Sequence, residues 1–134
     1  MQNRLFGEGS DRSWFLTFEP GDEAIEGLKK FAEEEGVGTA SFTAIGGFEA
    51  ASLGFYNMET KGFDEVLFHD DQVEVLSLIG EITPDNGAPR VHAHVVVGRR
   101  DGTTSGGHLL RGVVRPILIV TVNELPHTLE PHHA

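Results

Sequence analysis

Three histidines in the sequence have the spacing of a metal site. The segment "RVHAHVVVG" carries His92 and His94 two residues apart, in a stretch whose composition predicts a β-strand. Residues two apart in a strand point to the same face, about 6–7 Å apart along the chain. Two imidazoles in this arrangement can clamp a Zn²⁺ ion, whose nitrogen ligands bind at about 2.0–2.1 Å. The opposite face of the strand is apolar and should face the core; it consists of Val91, Ala93, Val95 and Val97.

A third ligand follows in "SGGHLL", where His108 lies fourteen residues after His94. The pair Asp101-Gly102 favours a tight hairpin turn, so the chain after it should return alongside the His-x-His strand. Gly106 and Gly107 carry no side chains and would let the backbone pass close to a metal or to a neighbouring strand. Three protein ligands with an open fourth position are typical of catalytic zinc sites. The alternative is that His-x-His lies on an exposed sheet face without any function.

Two glutamates are candidates for proton transfer beside such a metal. Glu81 follows Gly80 at the end of a strongly apolar predicted strand, and Glu49 follows Phe48 in "IGGFEA". A bound metal would lower the pKa of its water towards about 7 or polarise a carbonyl group, and a nearby carboxylate could carry the proton. The alternative for each is a surface glutamate without a catalytic role.

The remaining histidines are weaker candidates. His69 lies beside Asp70 and Asp71 in a predicted loop, where it is either solvated or an indirect support for a metal ligand. His127 and the pair His132-His133 belong to a C-terminal extension that we expect to be disordered. Such a tail could bind metal adventitiously.

Other reaction classes have no support in the sequence. Cysteine is absent, which excludes disulfides and thiolate zinc sites. Ser77 and Ser105 lack the Gly-x-Ser-x-Gly context of a serine hydrolase. Neither a phosphate-binding loop nor a dinucleotide-binding glycine pattern occurs.

Length and charge indicate an ordinary globular chain with an acidic surface. Its 134 residues are enough for one domain with a hydrophobic core, which we expect over the whole chain 1–134 with its core at about 14–124. The net charge of −11 repels a phosphate backbone, so direct nucleic-acid binding is disfavoured. No run approaches the ~18 apolar residues of a membrane span, and the N-terminus lacks the features of a signal peptide. These features predict a cytoplasmic protein.

The chain is predicted to alternate one helix with several short strands. A strand is expected over 13–18, then a helix over about 22–35 with Asp22 as its cap and Gly36 at its end. Further strands are expected over 39–48, 50–57, 72–82, 89–98 and 114–125, and the pattern over 61–72 is ambiguous. The fold class is therefore α+β, a twisted, mostly antiparallel sheet with one main helix.

The order of these motifs resembles the PPC domain, the plants-and-prokaryotes-conserved domain. The resemblance runs from about Trp14 to Glu124 and is carried by "TAIGGFEAASLGFY", "LSLIGEI", "VHAHVVV" and "TSGGHLLRGVV". It implies an α+β fold assembled as a homotrimer, related in fold to acetolactate decarboxylase and to a zinc-dependent ester hydrolase with three histidine ligands. Carried over to this sequence, the ligands would be His92, His94 and His108.

Two functions from different classes follow. The first is a homotrimeric zinc-binding protein, with hydrolysis or decarboxylation of a small carbonyl compound as the reaction that fold analogy implies. The second is a non-enzymatic binding or regulatory module that acts through protein partners. The Arg-Gly-Arg-Pro AT-hook of plant relatives is absent, so the DNA-binding label attached to the family has no motif here to support it. A metal that only stabilises the fold or the trimer is a third possibility.

Overall fold

The computed structural model describes residues 1–6, 12–69 and 72–126. Within them the chain forms one helix and seven strands: β1 (Gln2–Phe6), β2 (Ser13–Phe18), α1 (Ala24–Glu35), β3 (Ala40–Asn57), β4 (Gly62–Phe68), β5 (Val73–Asp85), β6 (Ala88–Gly98) and β7 (Thr104–Glu124). The predicted α+β class is confirmed.

The strands form one antiparallel sheet in the order β1-β2-β7-β6-β5-β3-β4, with an additional pairing of β7 to β3. Four of the strands form a closed ring, because β3 pairs with β5, β5 with β6, β6 with β7, and β7 again with β3. The sheet closes on itself, and β7 hydrogen-bonds to three different neighbours along its length.

Strand β3 is continuous where the sequence predicted two strands. The predicted strands 39–48 and 50–57 form one strand, and its register against β5 shifts at a bulge between Ala44 and Gly46. A side chain at Gly47 would collide with the carbonyl oxygen of Arg115 in β7. The two glycines thus let the strand bend against its neighbour without ending.

Other strands differ from their predicted bounds. Strand β7 begins at Thr104 rather than near residue 114, since its first residues, 104–108, pair with β6. The ambiguous segment forms β4, which pairs with β3 at an edge of the sheet. Strand β1 was not predicted; all five of its residues are exposed, and its place in the sheet comes from pairing with β2.

The cap of helix α1 lies one residue later than predicted. The cap is Glu23, whose carboxylate accepts hydrogen bonds from the backbone N–H groups of Ile25 and Glu26, each at 3.0 Å. The prediction that Asp22 caps the helix was wrong, because its carboxylate accepts from the N–H of Glu19 at 2.8 Å. That hydrogen bond lowers the pKa of Asp22. The helix ends at Gly36, as predicted, in the left-handed conformation with φ of 66°.

The core lies between α1 and the inner face of the sheet. Leu28 and Phe31 of the helix are fully buried, and the Phe31 ring meets Trp14 of β2 edge to face at 5.2 Å. The helix packs against β6 and β7. Within the described residues no helix is long and apolar enough to cross a membrane.

Candidate metal centre

The β6–β7 hairpin brings the three histidines together. His94 of β6 lies directly opposite His108 of β7 in the strand register, and His92 is two residues away on the same face. The alternation predicted for β6 is correct, since Ala93 and Val95 are buried at 3% and 2% exposure. His92 and His108 are half-buried and His94 is exposed, so the group opens to solvent on one side.

The imidazole rings are close enough to share one ion. Ring centroids are separated by 5.1 Å for His92–His94, 5.3 Å for His92–His108 and 4.4 Å for His94–His108. One potential ligand atom of each ring lies within 4.8 Å of the others. A tetrahedral zinc ion with bonds of about 2.0–2.1 Å holds its ligand atoms roughly 3.3 Å apart. Small side-chain rotations would close the remaining gap, so the residues fit a divalent ion of this type.

A glycine allows the strand that carries His108 to pass between two neighbours. His108 is the register partner of both His94 in β6 and Gly54 in β3. A Cβ atom on Gly107 would lie only 2.8 Å from the carbonyl oxygen of Gly54. The close backbone approach predicted for the Gly106-Gly107 pair is therefore present at Gly107, where a side chain would push β7 away.

The surroundings of His108 favour its neutral form. Burial lowers the pKa of its imidazole, and repulsion from His94 and His92 in their charged forms lowers it further. Imidazole must be neutral to bind a metal. His108 is consequently ready to act as a ligand at neutral pH.

Of the two candidate glutamates, only Glu81 is brought to the histidines. It lies opposite His92 in the β5–β6 register, and its Oε1 is 3.5 Å from His92 Nδ1. Glu49 is exposed on β3, five residues before Gly54, the partner of His108. At about 3.3 Å per residue, that offset is roughly 16 Å along the strand.

The other histidines do not join the group in the part of the chain that is described. His69 follows β4 and lines a separate small cavity together with Ser52 and Arg111. His127, His132 and His133 lie outside the described residues, as do Asp70 and Asp71.

Sequence reasoning missed a cavity beside His94 and His108. Its volume is about 420 Å³, and its apolar walls include Tyr56, Ile79 and Val96 from three different strands. The position of Val96 follows from the strand alternation, because Val96 is two residues from His94 and therefore lies on the same face. The other two depend on the β3–β5–β6–β7 arrangement, which the local pattern does not contain.

A family model for the Plants and Prokaryotes Conserved (PCC) domain matches residues 6–126. The chain belongs to the PCC-domain family. PCC and PPC are two abbreviations for the same plants-and-prokaryotes-conserved domain. The resemblance inferred from the motifs is therefore confirmed.

Several solved structures are similar over nearly the whole chain. A PPC protein of Pyrococcus horikoshii has a TM-score of 0.84 at 28% identity, over 98% of this chain and 89% of that one. A Bacteroides thetaiotaomicron protein whose name proposes that it binds DNA has a TM-score of 0.83 at 26% identity, over 96% and 86%. A metal-containing protein of Archaeoglobus fulgidus has a TM-score of 0.81 at 29% identity, over 92% and 86%.

Two further comparisons are more distant or partial. The α-acetolactate decarboxylase of Bacillus subtilis has a TM-score of 0.57 at 16% identity, over 85% of this chain and 56% of that one, which shows the fold alone. The bifunctional protein GlmU of Synechococcus sp. (strain JA-3-3Ab) is 32% identical over 119 residues. That match covers 87% of this chain and 17% of the relative, so the chain spans about a sixth of that protein's length.

Proposed function

We propose that this PCC-domain protein binds zinc through His92, His94 and His108 and works as a cytoplasmic homotrimer. The observation that carries the proposal is the convergence of three imidazole ligand atoms within 4.8 Å on an open sheet face. The similarity to a metal-containing protein of A. fulgidus supports it. An open fourth position is what catalytic zinc sites have and closed structural sites lack.

The reaction we propose is hydrolysis or decarboxylation of a small carbonyl compound. When bound, the ion would supply Lewis acidity to an oxygen atom of the substrate. The three imidazoles would fix its position, and Glu81, 3.5 Å from His92, is the candidate proton carrier. Glu49 lacks this role in the proposal because it lies far along β3. The choice of reaction rests on the fold shared with acetolactate decarboxylase, which is an analogy.

The test is the zinc content of protein purified without a histidine tag, in a form whose His127, His132 and His133 are replaced by alanine. We expect close to one zinc ion per chain by elemental analysis, and loss of at least nine-tenths of it in His92→Ala or His108→Ala. His69→Ala is the matched control, since this exposed histidine lies at a different cavity, and it should retain the metal. Folded protein without zinc, which also takes up none on titration, would refute the proposal.

The second candidate function is a binding module that acts through protein partners. The observation that favours it is the exposure of large apolar side chains such as Ile45, Phe55 and Leu67, which are 60%, 74% and 59% exposed. Exposed apolar surface marks interaction sites. Direct DNA binding is a poorer match, because a net charge of −11 opposes contact with phosphates. A histidine variant that loses zinc but keeps its assembly and its partners would favour this function.

A further inference from the structure

The cavity beside His94 and His108 contains no charged side chain. Its lining consists of apolar, hydroxyl-bearing and glycine residues of β3, β5, β6 and β7 together with His94 and His108. Charged residues make up 23% of the chain, yet none of them lines this space. Its volume of about 420 Å³ lies within the roughly 300–1,000 Å³ of small-molecule sites, which are also mostly apolar with a few polar groups.

The cavity combines imidazole groups with apolar walls. His94 and His108 supply the imidazoles, Ile79 lies opposite His94 in the strand register, and Tyr56, Ile79 and Val96 are 39%, 53% and 39% exposed. Gly54, Gly106 and Gly107 line the cavity with backbone atoms alone. A ligand with one oxygen-bearing end and one apolar body would match both parts.

We propose that this cavity receives the apolar body of a small monocarboxylate or a closely related carbonyl compound, with its oxygen end beside the three histidines. The inference rests on the metal site proposed above. Three neutral imidazoles carry no charge to offset a divalent ion, and the Glu81 carboxylate, 3.5 Å from His92, would offset one of its two positive charges. The remaining charge suits a single anionic or polarised oxygen group. No lysine or arginine lines the cavity to balance further negative charge, so phosphate esters and dicarboxylates fit poorly.

The experiment uses the full chain loaded with Co²⁺, whose visible absorption reports changes at the ion. Acetate, propanoate, butanoate and pentanoate are titrated in turn, with inorganic phosphate for comparison. Burial of a methylene contributes about 0.8 kcal/mol at most, so we expect the dissociation constant to fall roughly threefold for each added methylene. Phosphate should bind more weakly than pentanoate.

Two variants test the location of the apolar body. Val96→Phe and Ile79→Phe fill the cavity from β6 and from β5, and each should abolish the dependence on chain length. Val66→Phe is the matched control, because Val66 is exposed at 54% on β4 and does not line the cavity. It should keep the full dependence. Using two filling variants guards against one of them failing to fold.

A measurement that does not use the absorption of the ion separates failure of this inference from failure of the metal site. Methyl NMR signals of Val96 and Ile79 should shift when pentanoate, but not acetate, is added. Co²⁺ binding with equal affinities for acetate and pentanoate would overturn the cavity assignment and leave the metal site intact; this is also the result if a second copy of the chain fills the cavity. Absence of both Co²⁺ binding and methyl shifts would overturn both proposals.

Discussion

His108 differs from the other two histidines in its backbone surroundings. It lies on β7 between β6 and β3, where glycines on both sides of the contact bring the three strands together. Its ring also meets Phe63 of β4 edge to face at 5.0 Å. These neighbours remove water from the imidazole, and this burial is the main reason for its lowered pKa.

The lowered pKa of His108 should make the metal-free protein sensitive to acid. In the unfolded chain this imidazole takes up a proton near its ordinary pKa of about 6.5, whereas in the folded chain it does so only at lower pH. The neutral His108 imidazole therefore makes its full contribution to the free energy of unfolding above about pH 6.5. This contribution is lost as the pH falls through the folded-state pKa. We expect chelator-treated His108→Gln to lose less stability than the parent between about pH 7.5 and 5.5 in urea titrations.

His69→Gln is the control for this comparison, since His69 does not touch the group. Its stability should follow the parent across the same pH range. Parallel curves for the parent and His108→Gln would contradict the prediction.

Glu81 should act on the metal through His92. A carboxylate that accepts a hydrogen bond from one imidazole nitrogen orients the ring and leaves the other nitrogen for the ion. Loss of such a partner typically lowers metal affinity about 10-fold to 100-fold; because the Oε1–Nδ1 distance is 3.5 Å and both groups are partly exposed, we expect the lower end for Glu81→Gln. Competition titration against a chelator measures it. Glu49→Gln is the control and should bind zinc like the parent; equal losses in the two variants would argue against the orienting role.

At the scale of elements, Glu23 connects α1 to the sheet. Besides capping the helix, its carboxylate accepts a hydrogen bond from the N–H of Gly112 in β7 at 2.8 Å, and Glu23 forms an isolated β-bridge with Val113. One side chain thus satisfies donors from two elements. This position fixes the helix over the strand that carries His108.

Glu23→Ala should therefore destabilise the fold more than loss of an ordinary cap. Removing a cap costs about 1 kcal/mol, and leaving the buried N–H of Gly112 without an acceptor adds a cost of similar size. We expect a loss of about 2 kcal/mol in the free energy of unfolding, measured by urea titration at one fixed protein concentration. Glu26→Ala is the control, because this side chain is 73% exposed in the same turn and should cost less than about 0.5 kcal/mol. Similar losses in both variants would mean that the contact with β7 contributes little.

The elements show which features local sequence patterns can predict. The alternation around His92 and His94 identified both the buried and the exposed face of β6, because period two is a property of the strand itself. The continuity of β3 and the presence of β1 were missed, because each depends on a partner strand. The cap was assigned to Asp22 because the general preference for acidic residues at a helix N-terminus does not distinguish Asp22 from its neighbour Glu23. The side chain of Glu23 is longer and also reaches the N–H of Gly112. Tyr56 and Ile79 could not be placed near His94 without the closed arrangement of strands.

At the scale of the whole molecule, the exposed apolar side chains are compatible with assembly. Met58 is 81% exposed and Phe55 74%, so contact between copies could bury both side chains and stabilise an assembly. Sedimentation velocity should show a species of three times the 14.6 kDa chain mass at micromolar concentration. Its melting temperature should rise with protein concentration, because association stabilises only the folded state. Detection of a monomer alone at every concentration would refute the proposal that the protein works as a homotrimer.

Strand β7 has hydrogen-bonded neighbours on both sides over 118–123 and again at His108. Amide hydrogens in such a strand exchange with solvent only when the ring of strands opens, not by fraying from one side. Pairing on both sides holds the backbone of His108 beside that of His94. Binding of the proposed ion would therefore require little additional ordering of the backbone.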